Sequence, residues 1–83
     1  MQYVYVLQSL TCSDRHYVGC TSDVAGRLQR HNAGQSESQS RHTSMYGPWK
    51  LVVQIGFEVK VKAFAFEKYL KSGSGRAFAK KHF

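Results

Sequence analysis

With 83 residues the chain has room for one modest hydrophobic core, so we predict a single domain over residues 1–83. Twelve Lys and Arg against five Asp and Glu give a formal charge of +7, which favours polyanionic partners and nucleic acid first among them. Because there is neither a long apolar run nor a signal-peptide pattern in the first seven residues, we exclude a transmembrane protein and expect a cytoplasmic one.

The first half of the chain predicts a hairpin followed by a helix. Residues 2–8 and 15–21 are β-branched and aromatic and are separated by a short polar stretch, which is typical of two antiparallel strands. Ser22 and Asp23 are good N-cap residues for a helix that runs to about Asn32. Its apolar stripe includes Val24, Leu28 and His31.

The second half predicts a loop, a strand and two helices. Residues 34–48 are rich in Ser, Gln and His and indicate a long surface loop that carries Arg41. A third strand is predicted over Trp49–Phe57 and a helix over residues 59–71. Glycines at 73 and 75 should end that helix, and residues 76–83 should form a short basic helix capped by Ser74.

Tyrosines on the first two strands form the first candidate site. If Tyr5 and Tyr17 lie on one face of the sheet, they bring two phenols together. Plain cross-strand packing is the alternative, because Tyr is a favoured strand residue.

Arg27 and His31 are the second candidate pair, one helical turn apart. A guanidinium beside an imidazole suits a phosphate, since its paired donors match the phosphate oxygens. The alternative is a buried structural histidine whose hydrogen bonds are satisfied.

Glu67 is the third candidate, a carboxylate at the edge of an apolar helical stripe. It either pairs with Lys71 at i+4 or provides an oxygen ligand for Mg²⁺. The five acidic residues are scattered along the chain, so one metal held by one carboxylate is a better expectation than a two-metal site.

These residues together resemble the GIY-YIG endonuclease pattern over nearly the whole chain. The pattern comprises Tyr3-Val4-Tyr5, eleven residues, Tyr17-Val18-Gly19, and then Arg27, His31 and Glu67. The stretch from Glu67 to Phe78 also looks like the small stand-alone members, which are similar to the N-terminal nuclease module of bacterial excision-repair proteins.

The resemblance implies an α/β (α+β) fold with a three-stranded antiparallel sheet flanked by helices, one Mg²⁺ or Mn²⁺ ion, and DNA hydrolysis that leaves a 5′-phosphate. It implies that five positions are catalytic, with Glu67 as the metal ligand; they are Tyr5, Tyr17, Arg27, His31 and Glu67. The chain departs from the family at Tyr3, which replaces a Gly, and at Cys20, which replaces a frequent Lys. The role of that Lys then has to be absent or supplied by Lys71 or Arg76.

Basic side chains outside this set are the predicted nucleic-acid contacts, namely Arg30, Arg41, Lys71, Arg76 and Lys80. Whether the DNA is single-stranded, branched or duplex stays open. Specificity is expected from residues 34–48, the last helix or a partner protein. The alternatives are a catalytically silent nucleic-acid-binding module and a structural or ribosome-associated protein.

Overall fold

The strands and helices follow one another along the chain in the predicted order. The computed structural model describes residues 1–33 and 47–83. They form strand β1 (Gln2–Ser9), strand β2 (His16–Thr21), helix α1 (Val24–Ala33), strand β3 (Trp49–Phe57), helix α2 (Lys60–Leu70) and helix α3 (Gly73–His82). The fold class is confirmed, because one three-stranded antiparallel sheet is flanked by helices.

Strand β1 lies at the centre of the sheet, in the order β2-β1-β3. It pairs antiparallel with both neighbours, and Tyr5 lies opposite Gly19 on β2 and Gln54 on β3. The β3 register shifts between Val6 and Leu7, whose partners are Val53 and Leu51. Val52 therefore bulges out of the ladder, as an extra residue does in a β-bulge.

The sheet buries both of its faces. On one face a core cluster is formed by Tyr5, Leu7, Val24 and Trp49, with Leu28 of α1 packed against it. On the other face a second cluster joins β1 to α2 and α3; its buried members are Val4, Val6, Ala63 and Leu70. Alternate residues of β1 serve the two clusters, which explains why this strand is apolar along most of its length.

Helix α1 is fixed at both ends by polar side chains. At its start the Asp23 carboxylate accepts a hydrogen bond from the Gly26 N–H at 3.1 Å. A Cβ at Gly26 would overlap that carboxylate. Near its end Asn32 accepts from the Trp49 N–H at 2.5 Å and donates to the Trp49 carbonyl at 3.1 Å. These two hydrogen bonds join α1 to the first residue of β3.

The junction between α2 and α3 differs from the sequence prediction. Helix α3 begins at Gly73, and its N-cap is Ser72, whose Oγ accepts from the Gly75 N–H at 3.2 Å. Gly75 is buried, and a Cβ there would overlap the Tyr69 carbonyl and lie 2.5 Å from Leu70 Cα. Gly75 therefore allows α3 to start close to the backbone of α2, and the prediction that the last helix begins at Arg76 with Ser74 as its cap was wrong.

Within residues 1–33 and 47–83, none of the helices is long and apolar enough to cross a bilayer. Most of the predicted loop over residues 34–48, including Arg41, lies outside the described residues.

We expect Gly75→Ala to lower the free energy of unfolding by about 1–3 kcal/mol, because the added methyl group meets backbone atoms that cannot move aside. Gly73→Ala is the matched control two residues earlier, where a Cβ meets nothing within 4 Å. That change should be neutral or stabilise by up to about 1 kcal/mol. Urea unfolding of both variants measures the difference, and equal effects would contradict the close approach of the two helices.

Candidate active site

Tyr5, Tyr17 and His31 form a compact cluster of rings on the α1 side of the sheet. The Tyr5 hydroxyl lies 3.0 Å from His31 Nε2, which is a buried hydrogen bond between β1 and α1. The Tyr17 ring lies 4.7 Å from the His31 ring and 6.2 Å from the Tyr5 ring, between centroids. The structure therefore brings both motif tyrosines and the helix histidine together, in van der Waals and hydrogen-bond contact.

Gly19 provides the space that the Tyr5 side chain occupies. The two residues are direct partners in the β1–β2 ladder. A Cβ at Gly19 would overlap the Tyr5 hydroxyl and lie 2.5 Å from Cζ. Because the phenol lies across the backbone of β2, the glycine of the second motif is required by the tyrosine of the first. The Tyr5 side chain therefore fits only when Gly19 of the second motif lies opposite it.

The ionisation of Tyr5 reports on the charges around it. Burial, with smaller contributions from the charges of Tyr17 and Glu67, raises the pKa of Tyr5 to about 12, and Arg27 opposes the rise through its charge and its hydrogen-bond donors. Tyr5 is therefore a neutral phenol at physiological pH. Its pKa responds to three of the predicted site residues, so those groups lie within electrostatic reach of one phenol.

His31 is buried beside these groups, with only 4% of its surface exposed. Burial, and then the positive charge of Arg27, lowers the pKa of His31 below its ordinary value, so the imidazole is neutral. Among the described residues its Nδ1 has no hydrogen-bond partner.

Glu67 lies on α2 with its side chain 22% exposed. Its Oε2 accepts from Lys71 Nζ at 3.3 Å, which is the i,i+4 pair that the sequence offered as the alternative. Lys71 is 55% exposed, so the ion pair is solvated and contributes little to stability. The carboxylate is thus partly exposed and accessible to a second cation, and its negative charge is one of the influences that raise the pKa of Tyr5.

A groove of about 840 Å³ lies between β2 and α3, and its apolar lining belongs to the sheet face opposite the ring cluster. We call it the β2–α3 groove, and it contains three of the predicted nucleic-acid contacts, namely Lys71, Arg76 and Lys80. Arg15 and His16 also line it and were missed, because the sequence gives no sign that the hairpin loop meets α3. Arg30 lies elsewhere, in a smaller pocket with Arg27 beside the start of α1.

Cys20, which replaces the frequent Lys of the family, points away from the tyrosines. It packs against the core cluster on the α2 side, and the Gln2 amide donates to its Sγ at 3.3 Å. The thiol is therefore a packing residue. Lys71 and Arg76, which the sequence offers as possible substitutes for the missing Lys, both line the β2–α3 groove.

Known proteins match this chain over most of its length. The family model described as the GIY-YIG catalytic domain matches residues 1–81. The structure-specific endonuclease subunit SLX1 of Homo sapiens is 40% identical over 67 residues, which are 77% of this chain and 24% of that protein.

Two further relatives carry related names. The structure-specific endonuclease subunit SLX1 homolog of Giardia intestinalis is 38% identical over 66 residues, covering 78% of this chain and 18% of its own length. The homolog of Drosophila mojavensis is 39% identical over 69 residues, covering 77% and 23%. The chain thus matches less than a quarter of the length of these curated relatives.

We expect Tyr5→Phe to remove the phenol that ionises near pH 12 from an ultraviolet phenolate titration. Tyr69→Phe is the matched control, because Tyr69 is 41% exposed. The pKa of Tyr5 is higher in the folded than in the unfolded chain, so its contribution to stability is complete below about pH 10 and is lost as pH rises toward 12. If Tyr5→Phe left the late phase of the titration intact, the buried phenol would be misassigned.

Proposed function

Because the chain belongs to the GIY-YIG catalytic domain family, we propose that it is a metal-dependent endonuclease that hydrolyses phosphodiester bonds in DNA. One observation carries the proposal: Tyr5, Tyr17 and His31 pack together in one cluster, and Arg27 lies one helical turn before His31. A proton acceptor and a cation, with a carboxylate as metal ligand, are the groups that phosphodiester hydrolysis requires.

The donor set fits a single divalent cation. Glu67 offers hard carboxylate oxygen, which Mg²⁺ and Mn²⁺ prefer. No group of three or more His, Cys, Asp or Glu suited to a metal exists in the part of the chain that the structure describes. In the proposal Glu67 is therefore the one protein ligand, and water and substrate phosphate complete the coordination. When bound, the ion neutralises negative charge on the phosphate.

Arg27 is proposed to stabilise the charge that develops on the non-bridging phosphate oxygens. It lies one helical turn before His31 on α1 and is partly exposed. A guanidinium offers several donors in a fixed plane, which suits a phosphate that gains charge as the water attacks. Its positive charge also favours the neutral form of His31.

Tyr17 is proposed as the general base that accepts the proton of the attacking water. It is partly exposed, so a substrate can reach it, whereas Tyr5 is 0% exposed.

Tyr5 and His31 act in this proposal as positioning residues. Their hydrogen bond is buried, and both rings contact Tyr17 from below. A buried, neutral pair holds Tyr17 at the groove without adding a second charge. The zero exposure of Tyr5 argues against direct contact between its hydroxyl and the attacking water.

The reaction balances with water as the only co-reactant. The water oxygen bonds to phosphorus, the bond from phosphorus to O3′ breaks, and the water proton passes to Tyr17 and then to solvent. The departing O3′ takes a proton from solvent, leaving a 5′-phosphate and a 3′-hydroxyl. The net step is hydrolysis without change of oxidation state.

The substrate class is proposed from the relatives. Three of them are named structure-specific endonuclease subunits. We take DNA of defined structure, such as flaps and junctions, as the first substrates to test, and a second protein subunit as one source of specificity. Similarity to the bacterial excision-repair module stays a prediction.

Glu67→Gln and Arg27→Ala should abolish cleavage while the circular dichroism spectrum and thermal midpoint stay close to those of the parent chain. Tyr17→Phe should lower the single-turnover rate by about 10²–10⁴-fold. Glu58→Gln is the matched control, since Glu58 is an exposed carboxylate just before α2 and should retain full activity. Full activity of folded Glu67→Gln would remove the proposed metal ligand.

Cleavage of labelled single-stranded, duplex, flap and junction DNA should require Mg²⁺ or Mn²⁺ and should stop in EDTA. Restoring excess Mg²⁺ should restore the rate, which separates metal dependence from inactivation of the protein. Binding of these DNAs without any product at saturating metal would instead favour the catalytically silent module.

A further inference from the structure

The β2–α3 groove combines apolar and charged side chains, whereas a surface that binds only phosphate needs no apolar part. Its floor is apolar; Val6 and Leu70 are buried there, and Val18, Val52 and Ala79 are partly exposed. Its rim is exposed and predominantly basic, with one carboxylate, and consists of Asp14, Arg15, His16, Lys71, Arg76 and Lys80. The ligand that matches this groove carries negative charge along its edge and presents an apolar surface inward.

Phe83 adds an aromatic wall to the groove. It follows α3 directly and is 38% exposed. Its ring packs perpendicular to the Phe78 ring, with centroids 5.6 Å apart and an interplanar angle of 89°. The contact with Phe78 fixes the orientation of Phe83 while part of the ring stays accessible in the groove. An oriented, accessible aromatic ring is a suitable platform for a planar group.

Duplex DNA would use only part of this surface. Its bases are stacked inside the helix, so it presents phosphates and base edges but no base faces to a protein. The basic rim would then be satisfied, and the apolar floor and Phe83 would face water or sugar. An unpaired strand presents both phosphates and flat base faces, which is the combination that basic grooves with aromatic platforms bind.

We propose that the β2–α3 groove binds unpaired nucleotides of a DNA strand, with bases against the apolar floor and Phe83 and phosphates along Lys71, Arg76 and Lys80. The groove lies on the sheet face opposite the ring cluster, and β2, the edge strand that carries Tyr17, separates the two. The inference rests on the proposed nuclease function and deepens it, because it assigns a single-stranded arm of the substrate to one surface of the domain.

The test is a binding measurement in EDTA, which requires no hydrolysis. Fluorescence anisotropy compares a labelled single-stranded oligonucleotide with a blunt duplex of equal length. We expect tighter binding of the single strand. Phe83→Ala should weaken single-strand binding by about 5- to 150-fold with little effect on the duplex. Phe64→Ala is the matched control, an aromatic that is 49% exposed and does not line the groove.

The charged rim is tested by two neighbouring lysines of α3. Lys80 lines the groove and Lys81 does not, although both are exposed. Lys80→Ala should reduce the slope of log K against log salt by roughly 0.7 for single strands, and Lys81→Ala should leave it unchanged. Equal losses in both variants would indicate a general charge effect and overturn the assignment.

Phe83→Leu distinguishes loss of the aromatic ring from loss of folding. Leucine retains apolar packing on Phe78 but has no ring face. It should fold as the parent chain does and still lose single-strand affinity. Parent-like affinity in both folded Phe83 variants, or duplex binding as tight as single-strand binding, would overturn the proposal. A chain that binds single strands through Phe83 but never cuts DNA with metal contradicts only the nuclease function, and a chain that cuts DNA with Phe83 irrelevant contradicts only this inference.

Discussion

The hydrogen bond between Tyr5 and His31 is the contact around which the candidate site is arranged. It joins the central strand to α1 in a buried environment, where an unpaired hydroxyl or ring nitrogen would be costly. The phenol can reach the imidazole because Gly19 leaves the space beside it free. Tyr17 then packs against both rings at the mouth of the groove. Three separate segments of the chain are thereby held in one geometry.

The two faces of the sheet carry different side chains. Alternate residues of β1 enter the two core clusters, and Cys20 belongs to the cluster opposite the tyrosines. A thiol at this position packs well but contributes no charge to the site. The basic side chains Lys71, Arg76 and Lys80 of the β2–α3 groove come instead from α3 and from the residue after α2, on the other face of the sheet. The basic rim thus depends on the tertiary arrangement of the helices.

Local patterns were sufficient to predict most of the secondary structure. The strand Trp49–Phe57 has the predicted bounds, and the hairpin and α1 lie within one or two residues of theirs. The start of α3 could not be predicted, because Ser72 and Ser74 are equally good caps in sequence and the close approach at Gly75 decides between them. Gly26 likewise gains a reason only from the Asp23 carboxylate beside it.

The site was predictable to a different degree. The motif identified Tyr5, Tyr17 and His31, whose rings pack together, but the burial of Tyr5 depends on the strand register and on Gly19. Arg15, His16 and Phe83 of the β2–α3 groove carried no local signal, since each is an ordinary surface residue until the hairpin and α3 meet. Contacts between distant segments are the part of a structure that periodicity does not encode.

The double hydrogen bond of Asn32 to the backbone of Trp49 has a consequence for how this domain can diversify. It closes the chain at the two points from which the segment between α1 and β3 departs, and it does so with described residues alone. The entropy of closing a longer segment grows only with the logarithm of its length. Insertions or exchanges of sequence between these anchors are therefore thermodynamically inexpensive, which makes this interval a natural place for related domains to differ while the sheet and the ring cluster stay the same.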